Sequence, residues 1–332
     1  MVNTLPYTRR RLLTRNAGSA RVGFTLIEML MVIVVIGILA GLLLVAVNSG
    51  VRKAKEAQIT FELNGLQTAM TSYKQENGQF PPTLCLSSNE DKVNRQQRFM
   101  RHLRKRFPRY IVSDYLTVRN NAAAYKKADG SSPLDIDQLD AAEAIVFWLG
   151  GFPDNTAQNK LQGFSADPTN PLKLGGSRSE ILFEFDPTRL TDVDQDGWWE
   201  YVPDGTSSIG DQMPPYVYFD SASYALAPEY PSASPGRQTA VGPNDAPFKL
   251  SGVGTEWGGV RPYATDTTVD PMTSIPVHFH QPDTFQLISA GLDAIYGTQQ
   301  LWRETSNRTG WTEFEEDNLT NFSEGRLGNL AD

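Results

Sequence analysis

The sequence predicts an α+β protein: a long N-terminal helix, transmembrane in its first half and amphipathic in its second, packed on a head of antiparallel β-strands with inserted helices. Three observations carry this prediction. Met29–Val47 is a block of nineteen residues without a charge, whose only non-hydrophobic members are Gly37 and Gly41. That length is close to the ~20 residues a helix needs to cross a bilayer core. Beyond it, Ile59, Leu63, Leu66, Met70 and Tyr73 recur at spacings of 4, 3, 4 and 3, which line one face of a helix. From Ile181 onward the texture changes to short β-like runs separated by Gly, Pro, Ser and Asp clusters, as expected of strands joined by turns. A chain of 332 residues with 40% hydrophobic composition can bury a substantial core.

Residues 1–23 form a basic leader with Arg9, Arg10, Arg11, Arg15 and Arg21 and no acid. By the positive-inside rule these arginines hold the N-terminus in the cytoplasm and place the C-terminal bulk outside. Arg52, Lys53 and Lys55 beyond the apolar block oppose this, in smaller number. A secretory signal peptide would have a shorter apolar core, of roughly 7–15 residues, with a small-residue cleavage site after it. The helix is therefore expected to stay in the mature chain. It is predicted to run from Phe24 to about Glu76, with 24–47 in the membrane and 48–78 amphipathic. No proline interrupts it before Pro81, and Asn77-Gly78 supplies a stop. Glu28 lies near its start, where a charge in hydrocarbon costs roughly 2.5–3.5 kcal/mol and implies a partner.

The run Gly23-Phe24-Thr25-Leu26-Ile27-Glu28 followed by an apolar helix resembles the cleavage and methylation signature of type IV pilins and type II secretion pseudopilins. The resemblance implies cutting by a prepilin peptidase between Gly23 and Phe24, methylation of Phe24, and pairing of Glu28 with the N-terminal amine of a neighbouring subunit. Ala54–Pro81 resembles the helix end and turn of the major pseudopilin G, and Phe285–Asp293 its closing strand and turn. The middle, about 84–272, matches nothing in that family. The implied setting is a bacterial inner membrane, crossed once, with a periplasmic head. Its implied partners are membrane lipid, other pilin or pseudopilin subunits and an inner-membrane assembly platform. A type IV or competence minor pilin is one alternative, and a membrane-anchored calcium- or ligand-binding module with a pilin-type signal is another.

Residues 79–180 read as a mainly helical insert. Arg95, Arg98, Arg101, Arg104, Lys105, Arg106 and Arg109 interleave with Phe99, Leu103, Phe107 and Tyr110, an amphipathic helix broken before Pro108. We read its charges as a solvated face. An anion-facing surface is the alternative, for headgroups, an acidic partner or DNA. The net charge of −8 argues against a nucleic-acid-binding whole, and loss of the leader makes the chain more acidic still. Asp137 is expected to cap a second helix ending near Gly150-Gly151, whose C-terminal half is nearly surrounded by apolar residues and is hence buried. Phe147 and Trp148 are expected there as core. Cys85 is the single cysteine, so no intramolecular disulfide can form.

Residues 181–332 read as a β-rich head, with runs at 181–185, 198–202, 216–219, 276–280 and 285–289 and a long loop at 228–247. Asp192, Asp194 and Asp196 alternate before Gly197, with Glu200 following. Hard carboxylate oxygens in that pattern suit calcium, and the loop begins like an EF-hand. It departs at the twelfth position, where Pro203 replaces the bidentate Glu. Asp293 and Asp317 are weaker calcium candidates. His278 and His280 share a face without a third ligand at a telling distance, which argues against a metal there. No nucleophile elbow, zinc-protease motif, P-loop or dinucleotide fingerprint is present, so we expect no catalysis.

Overall fold

The computed structural model describes residues 23–83, 89–111, 114–126, 133–154, 159–192, 196–204, 214–226, 260, 262–266, 268, 270, 277–296 and 316–328. The chain divides into two compact units, Met1–Gly50 and Val51–Asp332. Helix α1, Leu26–Asn77, contributes to both and is 52 residues long, close to the expected span. In the first unit every described side chain is exposed. Among the described residues α1 is the one helix long and apolar enough to cross a membrane. It stops as the sequence dictates: Asn77 Nδ2 donates to the Tyr73 carbonyl (2.8 Å), and Gly78 takes φ of +74°.

In the second unit the 4-3-4-3 stripe of α1 is buried, together with Ala69. Helix α2, Asn89–Arg106, lays Phe99, Met100 and Leu103 into the same core. Helix α3, Tyr115–Ala122, escaped the sequence reading because two turns give little periodicity. Its signal was Asp114, whose carboxylate accepts from the Thr117 amide (2.8 Å) as an N-cap. Helix α4, Glu143–Gly150, is buried on all sides, with Phe147 and Trp148 in the core as expected. The Trp148 indole N–H donates to the Pro82 carbonyl (3.1 Å).

Asp137 does not cap α4. Its Oδ1 accepts from the Tyr115 hydroxyl (2.8 Å), and the cap is formed three residues later. Asp140 accepts from the Ala142 and Glu143 amides (2.8 and 3.2 Å), and the Glu143 carboxylate accepts from the Asp140 amide (2.8 Å). This reciprocal pair is a capping box of the D-x-x-E type.

The strands are β1 (Leu190–Thr191), β2 (Glu200–Tyr201), β3 (Val217–Asp220), β4 (Phe285–Ser289) and β5 (Leu319–Thr320). Strands β1 and β2 pair as a two-stranded sheet; β3-β4-β5 form a second, antiparallel throughout, with Val217 opposite Ile288 and Ile288 opposite Thr320. Residues 181–185 form no strand: Phe183 and Phe185 pack edge-on to each other and to Tyr201, and among the described residues no ladder partner lies alongside. Of the run at 276–280, Phe279 makes a single bridge to Ala264, and Pro276 lies outside the described residues, as do Cys85 and the 228–247 loop. The amphipathic half of α1, helices α2, α3 and α4 and the strands contribute to one hydrophobic cluster, and Val217 and Phe219 of β3 with Ile288 of β4 join a second around Tyr263 and Tyr296.

Within that core, burial holds the ring of His102 neutral and pushes its pKa down to about 3, with Arg106 and Lys105 adding repulsion. Its nitrogens meet the Tyr73 hydroxyl (2.6 Å) and the Gln79 amide (2.5 Å). An unfolded histidine binds its proton near pH 6.5. The unfolded chain therefore takes up a proton that the folded chain refuses, and stability falls as pH drops from about 6.5 toward 3. We expect a loss of about 1.4 kcal/mol per pH unit from this residue. Urea midpoints between pH 6.5 and 5, where carboxylates stay largely ionised, should show this slope in the native chain and a flatter one in His102→Gln.

Candidate functional site

The N-terminal motif forms a closed local structure. Glu28 Oε2 accepts from both the Thr25 amide and the Thr25 hydroxyl, each at 2.8 Å, and Thr25 Oγ1 accepts from the Glu28 amide (3.3 Å). The first turn of α1 is thus a capping box built from the signature residues themselves. Phe24 is exposed, and no atom lies within 4 Å of where a Cβ on Gly23 would sit. A chain end at Phe24 would leave this box intact. The carboxylate is on the helix surface, where it can meet another chain.

The acidic loop is partly described. Gly197 takes φ of +101°, the turn-making role its position suggested. Asp192 Oδ1 accepts from the Gly197 amide (3.2 Å), and Asp196 Oδ1 accepts from the Trp198 amide (3.0 Å). Glu200 is buried on β2, and its charge helps push the Tyr296 phenol well up, behind burial and Asp140. Asp194 lies outside the described residues. Among the described residues no three His, Cys, Asp or Glu side chains gather as a metal set.

Asp293 and Asp317 come together in space, as the sequence grouped them. Asp317 Oδ2 accepts from the Leu292 and Asp293 amides (2.6 and 3.0 Å), and its Oδ1 faces Arg326 (3.3 Å) and Arg52 (3.5 Å). Arg326 also pairs with Glu56 on α1 (3.3 Å). Two amides and two guanidiniums take up this carboxylate, so it fastens the turn after β4 to α1. A Cβ on Gly291 would meet the Asp317 carbonyl at 2.0 Å, which the glycine avoids. Arg326 was missed from sequence, where nothing distinguishes it from a surface arginine.

The basic helix α2 divides by face. Arg95, Arg98 and Arg106 turn inward with His102, while Arg101, Arg104 and Lys105, and Arg109 just beyond the helix, are exposed. Arg98 Nη2 contacts the Asp220 carboxylate at 2.7 Å. Arg106 lies over the rings of Tyr73 and Phe164 and donates to the Trp148 carbonyl (3.0 Å). The expectation of a solvated cation face thus holds for the outer half only. His278 meets Asp266 (2.8 Å) and His280 stacks on Phe322.

No family model and no solved structure matches this chain. Curated relatives do. The chain is 36% identical over 61 residues to the type II secretion system core protein G of Klebsiella pneumoniae, covering 18% of this chain and 44% of the relative. It is 36% identical over 61 residues to the protein of the same name from Aeromonas hydrophila, covering 18% and 43%. The corresponding protein of Pectobacterium carotovorum subsp. carotovorum is 33% identical over 67 residues, covering 20% and 43%. The chain therefore spans less than half the length of the curated relatives it matches, and within that span it is similar to type II secretion core protein G.

Proposed function

We propose that this chain is a non-catalytic structural subunit of a type II secretion-like pseudopilus. The observation that carries the reading is the Gly23–Glu28 signature leading into a membrane-length helix that runs unbroken into a head, in a chain similar to core protein G. In this reading prepilin peptidase cuts between Gly23 and Phe24 and methylates Phe24. The inner membrane holds the subunit by its apolar helix, with its N-terminus cytoplasmic and its head outside. Glu28 then registers it against the new N-terminal amine of a neighbour on the assembly platform. Like subunits added head to tail give an open filament.

The mass and N-terminal sequence of the protein recovered from membranes test this. A start at N-methyl-Phe24 is expected. An intact Met1 start, or a cut beyond Val47, would overturn the prepilin reading.

Calcium is proposed at Asp192, Asp194, Asp196 and Glu200 alone, from three alternating carboxylates before a glycine at positive φ. Its role would be structural, tying β1 to β2. Asp293 and Asp317 are left out of this proposal because, among the described residues, Asp317 already faces Arg326 and Arg52. A calorimetric titration should show binding heat by millimolar calcium, lost in Asp192→Asn. No heat in the native chain would remove the site.

A further inference from the structure

The charge on the stretch of α1 that follows the apolar block does not cancel. Arg52 faces Asp317 (3.5 Å), and Glu56 faces Arg326 (3.3 Å), which also meets Asp317 (3.3 Å). Two guanidiniums and two carboxylates thus balance within the clamp that fastens the C-terminal turn to α1. Lys53 and Lys55 stand outside it: both are exposed, and neither makes an ion pair with another described residue. At 3.6 residues per turn they lie about 160° apart around the helix, one on each flank. Ala57, one turn beyond Lys53, is small and exposed, so that flank is open.

Helix α1 runs unbroken from Leu26 to Asn77, so residues after Val47 continue along the same axis. At ~1.5 Å per residue, Lys53 and Lys55 lie about 9 and 12 Å beyond Val47. The headgroup layer on each side of a hydrocarbon core is about 5–7 Å thick. Helical side chains lean toward the helix N-terminus, which here is toward the bilayer, and a lysine stem carries its ammonium further the same way. Both ammoniums therefore reach phosphate level. In a single-pass chain whose N-terminus stays inside, Lys and Arg are depleted from the side that crosses, so two uncompensated lysines there call for a use. Near an anionic leaflet each is worth about fivefold in affinity.

We infer that Lys53 and Lys55 form a phospholipid-headgroup site, each taking the phosphate of an anionic lipid in the leaflet where α1 leaves the membrane. Two contacts on opposite flanks fix the depth of the helix and resist its tilting, which holds an unassembled subunit in place. Arg52 adds little to the site, because Asp317 already faces it. The inference rests on the reading that α1 crosses the membrane, and adds to it a lipid class and the residues that select it.

The test reconstitutes the full chain in phosphatidylcholine vesicles with a trace of spin-labelled phosphatidylglycerol or spin-labelled phosphatidylcholine. The fraction of labelled lipid immobilised by the protein is read from its electron paramagnetic resonance spectrum. The native chain should prefer phosphatidylglycerol several-fold, and the double variant Lys53→Gln, Lys55→Gln should lower that preference at least twofold. The leader arginines are the same in both chains and drop out of the comparison. A control with Arg101→Gln and Arg109→Gln, which removes the same charge on and beyond α2, should keep the native preference. An equal fall in the control would mean that net charge alone acts, and would overturn the site. Inorganic phosphate replacing chloride at equal ionic strength should leave the preference in place; its loss would assign the lysines to free phosphate and overturn the lipid site. No difference between the native chain and the double lysine variant would also overturn it. Filaments are scored separately in cells, by pelleting sheared material, so the proposed function stands or falls on its own. A chain that immobilises neither labelled lipid does not cross the bilayer, which would overturn both.

Discussion

Arg95→Ala is expected to cost about 3 kcal/mol of folding stability, from leaving buried backbone carbonyls without their donor. Arg95 is only 5% exposed. Its Nη1 donates to the Asp137 carbonyl (2.6 Å) and its Nη2 to the carbonyls of Leu139 (2.5 Å) and Ile136 (3.3 Å). Those carbonyls belong to the segment that leads into the α4 capping box, so the guanidinium ties α2 to the entry of the most buried helix. Alanine would leave the carbonyls short of a buried donor, each such loss costing about 1–3 kcal/mol. Lysine should recover little, because an ammonium cannot fork across three acceptors. Arg101→Ala, on the outer face of the same helix, should stay within about 0.5 kcal/mol of the native chain. Urea unfolding of the detergent-solubilised chain at pH 7 compares the three variants. A cost for Arg95→Ala no larger than that for Arg101→Ala would mean the inward seat of Arg95 is wrong.

This contrast shows which information the sequence carries locally and which depends on partners far along the chain. The α+β class, α1 and its stop were legible because an uncharged apolar run, a 4-3-4-3 stripe and Asn77-Gly78 are local signals. The division of α2 was not. Arg95 and Arg101 are the same residue type on one helix, and the acceptors that draw Arg95 inward lie some forty residues later. The α4 cap was misplaced for a different reason: Asp137 and Asp140 both precede the apolar run, and only Asp140 has Glu143 three residues on to complete the box. Residues 181–185 form a short apolar, β-like run, yet a strand exists only with a ladder partner, and among the described residues the two phenylalanines pack without one. At the functional positions the pattern repeats. Gly23, Phe24 and Glu28 could be proposed from sequence because the signature that carries them is confined to six consecutive residues. Asp317 could be placed near Asp293, but the arginines that claim it come from α1 and from the C-terminal turn.

Glu28→Ala is expected to abolish filament assembly while leaving the protein in the membrane. Removing the carboxylate takes away an insertion penalty of roughly 2.5–3.5 kcal/mol, so anchoring should if anything improve. In the proposed assembly, pairing of this carboxylate with a neighbour's N-terminal amine would have to contribute a comparable amount to association, or roughly a hundredfold in the equilibrium constant at 1.4 kcal/mol per tenfold. The capping box allows the two jobs of Glu28 to be separated. In the single subunit, Oε2 is held by the amide and hydroxyl of Thr25. Glu28→Gln keeps an acceptor for that amide and loses only the charge; Thr25→Ala keeps the charge and loses the hydroxyl, at about 1 kcal/mol for a cap. If the intersubunit charge pair drives assembly, the Gln variant should fail as badly as the Ala variant and Thr25→Ala should still assemble. Should Glu28→Gln form filaments at the native level while Thr25→Ala does not, the carboxylate would be there to start the helix, and the registering contact would have to be sought elsewhere in the subunit.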